Sequence, residues 1–228
     1  MDSQEPARPH IRSFVKRRGH ISEAQKRYFQ HGLPQWGISF EKAPLDVVST
    51  FGKDAPLWLE IGFGMGETTA QIATQNSDVN YLGVEIFTAG VGSLLKKIDE
   101  QNIKNIRIIS HDVVEVLQFM IADASLDRVM VYFPDPWPKA RHHKRRLIQP
   151  GFLSLLLPKL KPGGVIHCAT DWQHYAEQML EVLSAETSLK NTAESYAQRP
   201  NTRPLTKFEN RGLKLGHGVW DLIFTKLP

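Results

Sequence analysis

The chain has 228 residues, 41% of them hydrophobic, a formal net charge of +4 and one cysteine, Cys168, so it can build one substantial core but no internal disulfide. No apolar run nears the roughly 20 residues that span a membrane, and Met1-Asp2-Ser3-Gln4-Glu5-Pro6 lacks the apolar centre of a secretory signal, so no membrane association and a reducing, cytoplasmic location are expected. The mild basic excess permits a polyanionic partner without requiring one.

Residues 1–30 carry Arg8, Arg12, Lys16, Arg17, Arg18, Lys26 and Arg27 and read as a mobile basic arm, either a solvated tail or a segment that orders on RNA. One domain is expected over residues 31–228. From Pro56 onward, short apolar runs alternate with longer amphipathic ones. The order is strand 57–61, helix 67–75, strand 81–84, a helix through Leu94, Leu95 and Ile98, strand 106–109, helix 113–120 and strand 129–133. A helix over 148–160, ended by Lys161-Pro162-Gly163-Gly164, then leads to strand 165–169, helix 172–184 and a closing strand over 219–225. Such alternation predicts an α/β fold with a parallel sheet covered on both faces. Cys168 lies in one of the apolar runs and reads as a small buried hydrophobe.

Glu60-Ile61-Gly62-Phe63-Gly64-Met65-Gly66-Glu67 joins the first strand to the first helix. Its glycines permit positive φ and close backbone approach to a ligand. A dinucleotide loop would read Gly-x-Gly-x-x-Gly; this one is shorter and follows an acid. It resembles the S-adenosylmethionine loop of Rossmann-like methyltransferases, whose ligand has an amino group and a sulfonium instead of a pyrophosphate. Glu85 ends the second strand, where a carboxylate can accept both ribose hydroxyls. Asp112 follows the third strand and also fits the capping box Asp112-x-x-Glu115, and Asp135 follows the fourth. Acids at successive strand ends would repel one another, and a cationic, hydroxyl-rich ligand resolves the conflict.

Pro134-Asp135-Pro136-Trp137-Pro138-Lys139 stiffens the chain on both sides of a carboxylate. Asp135 can accept from the Watson–Crick edge of guanine or steady positive charge on an alkylated ring. Trp137 either stacks on a base or packs beneath the loop. Arg141, Lys144, Arg145 and Arg146 form a phosphate-binding run. His142 and His143 add polar contacts, and no metal site is expected.

Residues 59–67, Gly83-Val84-Glu85, Asp112, residues 133–146, Ala169-Thr170-Asp171-Trp172 and residues 206–212 together resemble the bacterial tRNA (guanine-N7-)-methyltransferase family. The resemblance runs from about residue 57 to the C-terminus and implies the Rossmann-like doubly wound methyltransferase fold, mostly parallel with an antiparallel last strand. It implies methyl transfer from S-adenosyl-L-methionine to N7 of a guanine in the tRNA variable loop, position 46 by family resemblance. By matching position, Glu60, Gly62, Gly64, Gly66, Glu85, Asp112 and Asp135 bind the cofactor, and Asp135 is also catalytic. Lys139, Asp171, Thr206, Lys207, Phe208 and Glu209 bind substrate, and Arg141, His142, His143, Lys144, Arg145 and Arg146 touch RNA. The residues themselves also allow structural roles: an N-cap for Asp171, and a capping box for Thr206-x-x-Glu209 with Gly212 ending that helix. No obligate protein partner is evident.

Two other classes compete. An NAD-dependent oxidoreductase would leave the Pro-Asp-Pro-Trp turn without a purpose. A non-catalytic RNA-binding module would make no use of the acidic strand edge.

Overall fold

The computed structural model describes residues 13–14, 21–206, 209–210 and 218–228. One seven-stranded sheet organises them, in the order β3-β2-β1-β4-β5-β7-β6. The strands are β1 Leu57–Ile61, β2 Asn80–Val84, β3 Ile106–Ile109, β4 Leu126–Tyr132, β5 Leu160–Thr170, β6 Leu189–Asn191 and β7 Trp220–Lys226. β1 to β5 are mutually parallel, whereas β7 runs antiparallel to β5 and β6. The helices are α1 Glu23–Trp36, α2 Val47–Phe51, α3 Glu67–Gln75, α4 Thr88–Glu100, α5 Val113–Phe119, α6 Pro150–Leu156 and α7 Gln173–Ser184.

The parallel strands are apolar nearly throughout because both faces of the sheet are covered. One face buries Val116, Leu117, Phe152, Leu153, Met179 and Leu183 from α5, α6 and α7. The other buries Ala70, Ile72, Val91, Leu94 and Leu95 from α3 and α4 with Trp36 of α1. β1 pairs with β2 on one side and β4 on the other. Strand addition therefore reverses at β1, and the crevice beyond the carboxyl ends of β1 and β4 is where such sheets hold ligands.

Three expectations are corrected. The arm does not extend to residue 30, because α1 starts at Glu23 behind a reciprocal capping box between Ser22 and Gln25. α1 lies on α4 so closely that a Cβ at Gly92 would stand 2.3 Å from the Gln25 carbonyl oxygen. The helix expected over 148–160 stops at Leu156, because Pro158 has no amide to continue it and residues 157–159 tighten into a 3₁₀ turn. Lys226 Nζ satisfies the Leu157 and Leu160 carbonyls left there, at 2.7 and 2.8 Å. Gly163 and Gly164 do not end a helix: they lie inside β5, where the pairing with β4 shifts register.

Candidate active site

The turn after β1 is built on left-handed backbone. Gly62, Gly64 and Gly66 have φ of 73°, 55° and 71°. A Cβ at Gly62 or Gly64 would meet nothing within 4 Å, whereas one at Gly66 would stand 2.7 Å from Leu94 Cβ. The first two glycines therefore border open space and the third packs on α4. Ser93 Oγ of α4 donates to the Met65 carbonyl at 2.9 Å and fixes the turn from below.

The acids differ more than their spacing suggests. Glu85 is half-buried; its Oε2 accepts from Gly64 N, and its Oε1 from Ile86 N and Phe87 N. Backbone amides thus offset its charge, so part of the repulsion expected at the acidic edge is relieved by the chain itself. Asp112 caps α5 through Val114 N, while Glu115 takes His111 Nε2 at 2.6 Å, with His111 stacked on Phe40. Glu60 is only 3% exposed and accepts from the Tyr81 hydroxyl at 2.6 Å. It is thus far more enclosed than Glu85, which is half-buried.

Burial pushes the Glu60 carboxyl up to about 7, against the pull of the Tyr81 hydrogen bond and with help from the Glu85 charge. The native state therefore holds a proton that the unfolded chain releases at a lower, ordinary carboxylate pH. Stability falls as pH rises through that window, and the deficit is complete above pH ~7. Glu60→Gln removes the ionisation. It is expected to raise unfolding stability by about 1–3 kcal/mol at pH ~8 relative to wild type, with little gain at pH ~5. Urea melts at both pH values check this, and a gain independent of pH removes Glu60 as the cause.

On β4 the chain leaves the sheet through two non-glycine residues in the left-handed region, Phe133 at φ 51° and Trp137 at φ 47°, which bracket Pro134-Asp135-Pro136. Bulky side chains adopt that conformation only when their surroundings enforce it. Phe133 N donates to the Ala169 carbonyl at 2.7 Å, tying the turn to β5. Asp135 is half-buried at its apex. Trp137 resolves toward packing: its Nε1 donates to the Ser13 carbonyl, Arg145 lies 5.0 Å over its ring and His142 meets its edge.

The basic run forms a 3₁₀ helix over residues 140–145, with Lys139 as N-cap. Lys139, Arg141 and Lys144 are exposed, and His142, His143 and Arg145 partly so. Arg146 departs from the expected RNA surface. It is 2% exposed; Nε donates to the Pro136 carbonyl, and Nη1 donates to Gln178 Oε1 and His174 Nδ1. It props the Asp135 turn on α7 from beneath, an inward role that a run of like charges does not reveal.

Asp171 is exposed just past β5 and is not the cap of α7: Trp172 holds that position, and its N–H is met by Thr170 Oγ1. Thr206 and Glu209 form the expected reciprocal box, with Glu209 N on Thr206 Oγ1 at 3.0 Å. Glu209, however, is 3% exposed and both its oxygens accept from Arg203. It therefore faces inward, toward Arg203. Lys207, Phe208 and Gly212 lie outside the described residues.

Sequence reasoning passed over the group that holds Glu209. Arg203, fully buried, forks onto Asp221 through Nε and Nη2, both at 2.7 Å, and onto Glu209 through Nη1 and Nη2. Asp221 Oδ1 also stands 2.7 Å from His167 Nε2, and His167 Nδ1 stands 2.9 Å from the Tyr132 hydroxyl. A carboxylate only accepts, so Nε2 carries the imidazole proton and the tyrosine donates to Nδ1. Burial opposes charge on both members of the pair. It lowers His167, whereas for Asp221 the hydrogen bonds from His167 and Arg203 prevail and hold the carboxyl below its usual range. An acid and a histidine inside the apolar runs of β7 and β5 were the available signal, because such groups are rarely buried unpaired.

The arrangement suits a cationic, hydroxyl-bearing ligand over Gly62 and Gly64, with Glu85 and Asp112 at its flank and a second reactant meeting it at Asp135. A family profile described as "Putative methyltransferase" matches residues 54–222. The tRNA (guanine-N(7)-)-methyltransferase of Bordetella parapertussis is 59% identical, covering 97% of this chain and 87% of that protein. That of Paraburkholderia xenovorans is 62% identical, covering 96% and 84%. The solved structure of the 16S rRNA methyltransferase KamB is similar in fold, with a TM-score of 0.58 at 14% identity over 96% of this chain and 99% of that one.

Proposed function

The chain belongs to the tRNA (guanine-N7-)-methyltransferase family, and on that premise we propose that it methylates N7 of a guanine in the tRNA variable loop, acting in the cytoplasm as one methyltransferase domain that includes α1. The observation that carries this is the juxtaposition at the switch point: an open glycine turn on β1 beside a proline-locked carboxylate turn on its neighbour β4.

S-adenosyl-L-methionine supplies an electrophilic methyl group when bound. Gly62 and Gly64, with no side chain and open space above them, let that ligand lie close to the backbone. Glu85 and Asp112 would accept hydrogen bonds from its hydroxyl and amino groups, and Gly66 keeps the turn seated on α4. Glu60 contributes a buried, titratable charge beneath.

Guanine N7 has an exposed lone pair and needs no deprotonation before attack. The chain's task is alignment, together with stabilisation of the positive charge that develops on the purine ring. Asp135 supplies that negative charge from a turn whose backbone cannot relax. Lys139, Asp171 and Thr206 extend the substrate side, with Lys207 and Phe208 assigned there by family position. Arg141, Lys144 and Arg145, with His142 and His143, face the RNA.

The deciding experiment incubates the protein with unmodified tRNA and a methyl-labelled donor, then maps the product by mass spectrometry of nuclease fragments. One methyl on one variable-loop guanine, at N7, is expected. No incorporation, or methyl on another atom, overturns the assignment.

A second measurement separates the surface cations from Arg146. Arg141→Ala with Lys144→Ala is expected to weaken tRNA binding and reduce the slope of log affinity against log salt by roughly 0.7–0.9 per lost phosphate contact, with thermal unfolding unchanged. An unaltered slope removes these residues from the RNA interface.

A further inference from the structure

Arg203 lies where two functional segments meet. Along one direction its guanidinium packs 5.5 Å from the Phe133 ring and 5.9 Å from the Tyr132 ring. Along the other it grips Glu209, whose backbone amide closes the box with Thr206. Its second carboxylate, Asp221, sits opposite Ala169 on β5, the residue whose carbonyl accepts from Phe133 N. Tyr132, Ala169 and Asp221 therefore form one row across β4, β5 and β7, with Phe133 tied to Ala169 one step past the end of β4 and Arg203 locked onto Asp221 at the far end of the row. Arg199, with Nε 3.9 Å from Glu209 Oε1, supplies a second cation for Glu209.

We propose that Arg203 is a positioning residue for methyl transfer: clamped between Asp221 and Glu209, it holds Phe133 in its left-handed conformation, and so aims the Asp135 turn, in register with the substrate segment at Thr206. This deepens the methyl-transfer reading and rests on it. A purely stabilising ion pair would need neither the aromatic contact to a strained residue nor a fork that spends four hydrogen bonds on two separate segments. Lysine keeps the charge but cannot make that fork, so the charge and the geometry are separable.

The test compares wild type, Arg203→Lys and Phe133→Ala in single-turnover methylation of tRNA, with donor affinity measured by calorimetry. Phe133→Ala removes the ring under the guanidinium and unpairs no buried charge, so it stays informative if Arg203→Lys does not fold. Both variants are expected to lose about 10²-fold in rate, the scale of a misplacement near 1 Å. Donor affinity should stay within about threefold, because Glu85 and the glycine turn are held by Gly64, Ile86, Phe87 and Ser93, groups remote in the chain from the Arg203 clamp. The tRNA KM should also hold, placing the loss in kcat. A near-normal rate in Phe133→Ala overturns the proposal, whatever Arg203→Lys does to stability. So does a parallel loss of donor affinity and rate, which marks a general disruption. Failure of wild type to methylate tRNA instead removes the functional assignment beneath.

Discussion

Asp135→Ala lowers methyl transfer to tRNA by about 10²–10³-fold, the scale seen when a preorganised electrostatic contact to a transition state is deleted. Pro134 and Pro136 fix φ on both sides, Phe133 and Trp137 hold left-handed conformations, and Arg146 and Ala169 anchor the turn from below and from the side. The backbone is held by groups other than the Asp135 side chain, so truncation removes the carboxylate and leaves the turn in place. The melting temperature is therefore expected to move by only a few degrees. Asp135→Asn keeps the shape and a hydrogen-bond acceptor but loses the charge, and should fall between. Rates from single-turnover assays check the order: a turnover within about threefold of wild type in the alanine variant removes Asp135 from the chemistry.

Gly90→Ala is expected to disable donor binding from a position that touches no ligand. In the first turns of a helix, alanine in place of glycine ordinarily stabilises by about 0.5–1 kcal/mol. Here the added Cβ would stand 2.2 Å from the Gly64 carbonyl oxygen and 3.0 Å from its carbon, both backbone atoms that cannot swing aside. Either α4 retreats or the glycine turn rises, at an overpacking cost of about 1–3 kcal/mol. Donor affinity is expected to fall at least ~10-fold, equivalent to about 1.4 kcal/mol. Gly151→Ala is the control, because its Cβ meets nothing within 4 Å; it should be neutral or gain a few tenths of a kcal/mol, on the order of the usual glycine-to-alanine effect. Equal affinities for the two variants mean that the contact between α4 and the turn does not govern the ligand site.

The strands and the glycine turn were legible in the sequence because their signals are local. β1 and α3 fall on the predicted residues, since an apolar run followed by glycines and an amphipathic nine-residue helix needs no tertiary information. The apolar face of α1, Tyr28, Phe29, Leu33 and Trp36, is diluted by Lys26, Arg27, Gln30 and His31, so the Ser22-x-x-Gln25 box is its one local signal and packing on α4 does the rest. Arg146 reads as surface because nothing in six successive basic or histidine positions says which one turns inward. Its apolar followers, Leu147 and Ile148, were the available hint. The Arg203 network links residues far apart in sequence, and no spacing rule connects Asp221 to His167 or Tyr132. Glu60 illustrates a partial success: the strand-end acid is real, but its inward aim depends on Tyr81 of the neighbouring strand.

α4 acts as a shim of fixed thickness. Gly90 sets its distance from the ligand turn and Gly92 its distance from the first helix, so each face of one rod touches another backbone where a single methyl group would intrude. A chain trimmed to the start of the conserved profile, at residue 54, would keep every strand of the sheet and discard α1. It would leave the shim with a bare outer wall, free to drift outward and slacken the ligand turn on its inner side. The smallest unit expected to retain a tight donor pocket therefore begins near Ser22, some thirty residues upstream of where the family profile starts.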